Sequence, residues 1–391
     1  MVYDFDTPVD RRGSGSYKWD SCPDVLPMWV ADMDFPAAPF IREALLRRVE
    51  HGVFGYTAVP ESYYEAVIDW YRRRRGWEID RSWIQYTSGV VPALSVVVKA
   101  FCKPGDKVLI LNPAYNCFYS SIRNNGCVVE ESRLVRRADS FIIDFEDFEE
   151  RCADPEVKMF IACNPHNPSG RVWTPDELAR MGVICRQHDV LVVSDEIHSE
   201  IEMPGHRYTP FASITRACQD CCITLCSPSK SFNTAGLQIA NIICDNPEWR
   251  AKIDRAINDN EVCDVNPFGP VALEAAYTPE GEEWLRQLNA YIWQNYQLLR
   301  RTFAARLPEL RVMELEGTYL AWVDCHALTA RGTGTAEAEA SLKENEKVWI
   351  NGGAMYGDPD YMRINLACPR ARLEEGLERI VCGLRRLLDS N

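Results

Sequence analysis

The chain has 391 residues, 46% of them apolar and 26% charged, with 11 Trp and 16 Tyr, a composition that excludes a disordered, collagen-like or low-complexity protein. Forty-three Lys and Arg against 57 Asp and Glu leave a net charge of −14, so the average surface repels phosphate backbones and anionic lipid, and neither nucleic acid nor membrane is expected as a partner. The opening MVYDFDTPVDRR lacks an apolar signal stretch, no run approaches the roughly 18 apolar residues of a membrane span, and the 16 cysteines are scattered, so a cytoplasmic protein with reduced thiols is expected.

In chain order, Pro23, Pro27, Pro36 and Pro39 break regular structure in an N-terminal arm. A helical stretch begins near Ser62 and runs into the basic residues 72–75, read as a solvated helix end whose cations complement the dipole. From about residue 107 to 244 the apolar runs KVLIL, VKMFIAC, DVLVVSD, CITLC and QIANIIC alternate with amphipathic stretches, the rhythm of an α/β unit. Cys163, Cys222, Cys226 and Cys244 fall in these runs, where cysteine serves as a small hydrophobe. Thr174-Pro-Asp-Glu177 combines a capping Thr, a Pro at the first helical position and a Glu three residues after the cap, so a helix starts there.

Further on, Leu285, Leu288, Ile292, Tyr296, Leu299, Phe303 and Leu307 form one stripe of a long helix, and Leu373, Leu377, Ile380, Leu384 and Leu387 form another. Between them lie the strand-like TYLAWVDC and YMRINLAC. The expected organisation is a large α/β domain over 50–275 and a smaller α+β domain from 276–391, with the arm at 1–49 packed beside it. No internal repeat is visible.

Three segments carry candidate chemistry. ACNPHNPSG follows an expected buried strand and places Asn167 in a proline-rich turn at its carboxyl end, where ligands lie in open α/β sheets; alone it is equally a plain turn. SDEIH delivers Asp195 past buried aliphatics, with His198 three residues later. A carboxylate there needs a partner, which is either a helix cap, an ion pair or a cationic ring nitrogen. SPSKSFN, after CITLC, sets Lys230 at the sheet edge between serines. Most lysines extend into water, but desolvation beside another cation makes a Schiff-base nucleophile.

The order of these words, with LPMWVADMDF, HGVFGYT, NPAYNCFY and MRINLACPR around them, resembles the pyridoxal-phosphate enzymes of the aspartate aminotransferase-like (type I) fold. More closely, the chain resembles the MalY/PatB branch of cystathionine β-lyase-like carbon–sulfur lyases, from about Asp4 to Arg379. The resemblance implies a mostly parallel, helix-flanked sheet and a smaller α+β domain, with pyridoxal 5'-phosphate as cofactor. It implies that Lys230 carries the cofactor as a Schiff base, that Asp195 pairs with the pyridinium nitrogen and that Asn167 contacts the ring hydroxyl. Tyr115 matches the aromatic stacked on the ring. Ser88, Gly89, Val90 and Val91 match a phosphate-cradling turn that opens a helix, and His198, Ser227 and Ser229 are further cofactor contacts. Tyr56 matches a residue lent to the neighbouring subunit, which implies a homodimer with shared sites. Arg363 matches the clamp on the substrate carboxylate. Asn167, Tyr56 and Asp32 are further substrate contacts, and the side-chain walls are expected from residues 29–34, from Tyr319 and from the partner.

Two departures from the general aminotransferase pattern fit the lyase branch: His198 replaces a Tyr, and Gln238 replaces a phosphate-binding Arg. The second requires another cation, or the partner's Tyr56, at the phosphate. Cys218 and Cys221, with Cys222 adjacent, have the spacing of half a zinc site, but no second half follows and no metal is expected. His166 either faces the cofactor pocket or is a surface histidine. The expected reaction is β-elimination from L-cystathionine or an S-substituted L-cysteine, with Lys230 removing the Cα proton, Tyr115 or Lys230 protonating the departing sulfur, and pyruvate and ammonia forming from the remainder. The alternatives are an aminotransferase using the same carbanion and a regulator that retains the fold.

Overall fold

In the computed structural model, which describes residues 2–259 and 263–390, the aliphatic runs become the centre of a seven-stranded sheet. Its strands are β1 (Ile84–Thr87), β2 (Lys107–Asn112), β3 (Val128–Arg133), β4 (Val157–Cys163), β5 (Leu191–Asp195), β6 (Cys222–Cys226) and β7 (Ala240–Ile243), in the spatial order β1-β7-β6-β5-β4-β2-β3. β7 runs antiparallel to both its neighbours and all other pairs are parallel. This is the mostly parallel sheet of the aspartate aminotransferase-like fold. Every residue of β5, β6 and β7 is buried, which is why they read as continuous apolar runs with no alternation. The edge strands β1 and β3 were not legible in that rhythm. VVEESR in particular is partly exposed and charged, a composition that protects a sheet edge from further pairing.

The helices packed around the two sheets include α1 (Glu61–Arg75), α2 (Val90–Phe101), α3 (Asn116–Asn124), α4 (Pro175–Gln187), α5 (Pro279–Arg306) and α6 (Arg370–Asp389). Side chains alternate across each strand. β4 therefore sends Met159, Ile161 and Cys163 into the layer formed by α2 and α3, and Phe160 and Ala162 into the layer that contains Leu178, Met181 and Ile184 of α4. α4 begins with the full capping box: Glu177 N–H donates to Thr174 Oγ1 (3.2 Å) and Thr174 N–H donates to Glu177 Oε2 (2.8 Å).

The second sheet is antiparallel, β8 (Arg311–Val312), β9 (Leu320–Asp324), β10 (Asn351–Gly352) and β11 (Tyr361–Asn365), in the order β8-β9-β11-β10. The apolar stripes of α5 and α6 are buried against it, with Leu388 taking the inward place in the last turn where the half-buried Leu387 had been read. The N-terminal segment Leu26–Pro27 pairs in parallel with Val348–Trp349, and the Trp29 and Trp349 rings stack at 4.0 Å.

The basic end of α1 differs from the solvated helix end read from the sequence. Arg72 and Arg73 do face outward on Asp69, but the Arg75 side chain is only 3% exposed and pairs with Glu200 (3.0 Å) and Glu202 (2.8 Å), while Arg74 reaches Glu200 at 2.6 Å. Glu200 also accepts from Trp70 Nε1 (3.0 Å). A buried carboxylate requires paired cations, and the helix end supplies two of them. Among the described residues, no helix is long and apolar enough to cross a membrane.

Candidate active site

The loops that follow β1, β2, β4, β5 and β6 converge at one end of the large sheet and enclose a cavity of about 260 Å³. Lys230, Asp195, Asn167, Tyr115, His198, Ser229 and the 88–91 turn, including Gly89, Val90 and Val91, all line it. These are separated by up to 142 positions in the chain (88 to 230), and a parallel sheet brings them together because its strand ends share one edge.

The Lys230 amine donates to the Ala31 carbonyl at 2.7 Å. Burial pushes its ammonium below the ordinary lysine range; Asp32 and Asp195 oppose this, and Arg363 adds to it. Asp195, at the end of β5, receives one hydrogen bond, from the Ile197 N–H at 3.1 Å. Burial pushes its carboxyl up to about 6, against the pull of that bond and of Lys230. His198 is buried, with Nδ1 unpartnered and its ring edge-on to Tyr319 at 5.9 Å. Burial, with Lys230 and Arg363 nearby, pushes it down to about 3, so the imidazole is neutral. The Tyr115 phenol is raised by burial and stays protonated.

Arg363, on β11, reaches this group from the second sheet. Nη1 donates to Asn167 Oδ1 (3.1 Å) and Nη2 to the Trp29 carbonyl (2.9 Å), Nε has no partner, and the guanidinium lies 4.6 Å from the Tyr356 ring centroid. α2 opens at Gly89 with no side-chain cap, so its first N–H groups point toward the cavity wall without a protein acceptor from a capping side chain.

Besides Arg363 and Tyr319, which stand outside the cavity lining, three other expected residues do not line it. The Ser227 hydroxyl donates to the Ile239 carbonyl (2.6 Å) and accepts from Ser229 N–H (3.1 Å), so it shapes the lysine turn from behind. The Asp32 carboxylate is held by Arg11 (2.7 Å) and Lys18 (3.2 Å). Tyr56 is 98% exposed on this chain. His166 is neither in the cavity nor on the surface: it is buried, Nδ1 bonds the Ser169 hydroxyl (2.8 Å), the ring packs edge-on against Trp173, and burial pushes it down to about 3. The proline-rich turn folds back on itself and takes the ring inward. Among the described residues that line the cavity, Lys230 is the one cation, and Gln238 stands in the wall.

The donor set fits a pyridine cofactor bearing a phosphate. Asp195 is a buried acid that makes no ion pair among the described residues, and a protonated ring nitrogen would supply one. His198 and the uncapped α2 start offer unpartnered groups, the latter suited to an anion. Cys218, Cys221 and Cys222 are buried free thiols, and among the described residues no group of three or more His, Cys, Asp or Glu could hold a metal. The sequence reading missed the Ala31 carbonyl, Asn233 and Asn365, which meet at the arm, and Glu196 beside Asp195. Asn233, Asn365 and Glu196 all sit inside the words SPSKSFN, MRINLACPR and SDEIH; the arm partners of Asn233 and Asn365 lie about 200 to 335 positions away, whereas those of Glu196, at Ser194, Tyr208 and Phe211, lie within 15 positions.

The profile of the family described as Aminotransferase class I and II matches residues 23–380. Cystathionine beta-lyase PatB of Bacillus subtilis (strain 168) is 40% identical over 388 residues, covering 97% of this chain and 99% of that protein. Protein MalY of Escherichia coli (strain K12) is 33% identical over 393 residues, covering 98% and 99%. The crystal structure of cystalysin from Treponema denticola, which contains a pyridoxal 5'-phosphate cofactor, superposes with a TM-score of 0.95 at 35% identity, covering 99% of this chain and 100% of that one.

Proposed function

Because the chain belongs to the class I and II aminotransferase family, in the branch of the PatB and MalY cystathionine β-lyase-like proteins, we propose that it is a pyridoxal-phosphate-dependent carbon–sulfur β-lyase. It releases thiol, pyruvate and ammonia from L-cystathionine or another S-substituted L-cysteine. The observation that carries this reading is the meeting, in one cavity, of a lysine whose ammonium form is weakened by burial with a buried carboxylate whose one side-chain hydrogen bond comes from a backbone N–H and which makes no ion pair among the described residues.

Lys230, Asp195, Asn167, Tyr115, His198, Ser229 and the 88–91 turn would hold the cofactor, with Ser227 supporting the turn from behind. When bound, the cofactor supplies an electron sink for the carbanion left at Cα. Lys230 acts as the base: a lowered ammonium pKa leaves more free amine near neutral pH. Arg363 exchanges the Trp29 carbonyl for the substrate carboxylate, which its planar fork grips, and Asn167 orients that fork through Nη1. The neutral His198 adds no charge that would compete with Asp195. Tyr115 keeps its proton and can donate it to the departing sulfur, although a thiolate leaves readily without strong acid assistance. Asp32 acts on the site through its charge on Lys230 and through the arm.

The stretch with exposed Leu46, Val49, Val53, Phe54 and Tyr56 supports a homodimer in which Tyr56 reaches the partner's phosphate end, where this chain offers no second cation. Residues 50–275 form the large domain, and 1–49 with 276–391 the small one; the protein works in the cytoplasm. Incubation with L-cystathionine tests the function. Thiol and pyruvate should appear together with no keto-acid acceptor present, and Lys230→Ala should abolish both. Strict dependence on 2-oxoglutarate would instead make the protein an aminotransferase.

A further inference from the structure

Residues 29–33 of the arm run past the cavity with each carbonyl taken by side chains from the two sheets and their loops. Arg363 (2.9 Å) and Asn351 (3.2 Å) donate to Trp29 O, and Asn365 donates to Val30 O (2.5 Å) and Asp32 O (2.7 Å). Lys230 (2.7 Å) and Tyr319 (3.0 Å) donate to Ala31 O. Asn233 Nδ2 donates to Met33 O (2.9 Å) and Phe35 O (2.8 Å), and Asn233 Oδ1 accepts from Met33 N–H (3.1 Å).

Lys230 and Asn233 stand three residues apart on one turn, and they grip carbonyls two residues apart on one segment. Asn233 adopts a left-handed backbone (φ 56), which asparagine tolerates better than most residues. Both hydrogens and the oxygen of its amide are committed to the arm, as a paired strand would be. The arm can therefore shift at Ala31 only by breaking these bonds.

We propose that Asn233 is a positioning residue for Lys230: it holds the arm so that the Ala31 carbonyl receives the lysine amine whenever that amine is not bonded to the cofactor. The inference rests on the lyase reading of the site. A carbonyl acceptor anchors the amine and favours its protonated form. The same contact thus slows first capture of the cofactor and, during turnover, keeps the released amine where it must act. A misplacement of about 1 Å at such a group can cost about a hundredfold in rate.

Asn233→Gly tests this, because glycine keeps the left-handed backbone and deletes only the amide. Asn233→Asp keeps the acceptor for Met33 N–H and deletes both donors. Two quantities are read: the rate at which cofactor-free protein, mixed with pyridoxal phosphate, becomes borohydride-trapped at residue 230, and kcat and KM for L-cystathionine. Both variants should be captured about threefold to tenfold faster than wild type and turn over about tenfold or more slower, with KM changed by less than about threefold. Loss of folded protein alone would slow both rates together. Rates within about twofold of wild type, or both rates slowed, overturn the proposal whatever happens to the melting temperature. Failure of the wild type to be trapped at residue 230 would instead remove the lyase reading itself.

Discussion

Glu196→Gln isolates a proton held inside the large sheet. Glu196 is fully buried next to Asp195. Its Oε1 accepts from the Ser194 hydroxyl (2.8 Å) and Phe211 N–H (2.9 Å), and its Oε2 accepts from the Tyr208 hydroxyl. Burial raises its carboxyl from 4.5 to about 7, the neighbouring Asp195 charge adding to the shift and the three donors opposing it. The folded chain therefore holds this proton more tightly than the unfolded chain. The resulting stability is complete below the unfolded value near 4.5 and is lost as pH rises through about 7. At about 1.4 kcal/mol per unit the full span is about 3.5 kcal/mol, of which about 2.5 kcal/mol falls between about pH 5 and about pH 8.

Glutamine cannot ionise, yet its amide oxygen keeps the Ser194 and Phe211 donors and its amide nitrogen faces Tyr208. In the wild type burial pushes Asp195 up to about 6, below Glu196, so Asp195 is ionised where Glu196 titrates, and the difference between the two proteins reads the Glu196 proton together with its coupling to that charge. Urea unfolding of cofactor-free wild type and variant across that range is the assay. Wild type should lose about 2.5 kcal/mol relative to the variant on going from about pH 5 to about pH 8. A gap that does not change with pH refutes the reasoning.

Two further outcomes are expected. At Gly357 (φ +89) an added Cβ would lie 2.4 Å from Asn112 Nδ2 and 2.5 Å from the Tyr119 hydroxyl, and the adjoining Tyr356 carbonyl accepts from Ala114 N–H at 2.8 Å. Gly357→Ala should therefore cost about 1–3 kcal/mol in thermal unfolding and raise KM by about tenfold, because Tyr356 packs on Arg363. Arg75→Met removes a buried cation from Glu200 and Glu202. It should lower chemical-unfolding stability by about 3 kcal/mol, at the low end for a broken buried pair because Arg74 still faces Glu200; a loss below about 0.5 kcal/mol would mean that the cluster behaves as a surface pair.

The chemistry of the site was written in short words because each depends on a local event. A strand ends, a turn follows, and the side chain just beyond points to one edge; this made Asp195, Asn167 and Lys230 candidates, and the resemblance of their words to a known family assigned their roles. The α4 capping box was equally local, its two hydrogen bonds closing within four residues. The stripes on α5 and α6 were legible because helical period alone encodes them. Arg75 and His166 were misread for the opposite reason. What decides their environment is Glu200 and Glu202, more than 120 positions from Arg75, and the inward fold of a turn around Trp173.

The sequence by itself determined the strand rhythm, the helix start at Thr174 and the order of the acid and lysine at successive strand ends, and the resemblance of these words to a known family implied the class of chemistry. Periodicity and capping are interactions between near neighbours, so a linear string contains both partners. Only the tertiary structure decided that Asp32 is held by Arg11 and Lys18, that Ser227 stands behind the wall, and that the backbone of residues 29–35 is gripped by Lys230, Asn233, Arg363 and Asn365. The grip on residues 29–35 joins carbonyl groups, which carry no sequence signature, to side chains about 200 to 335 positions away, and packing alone selects which carbonyl each one meets.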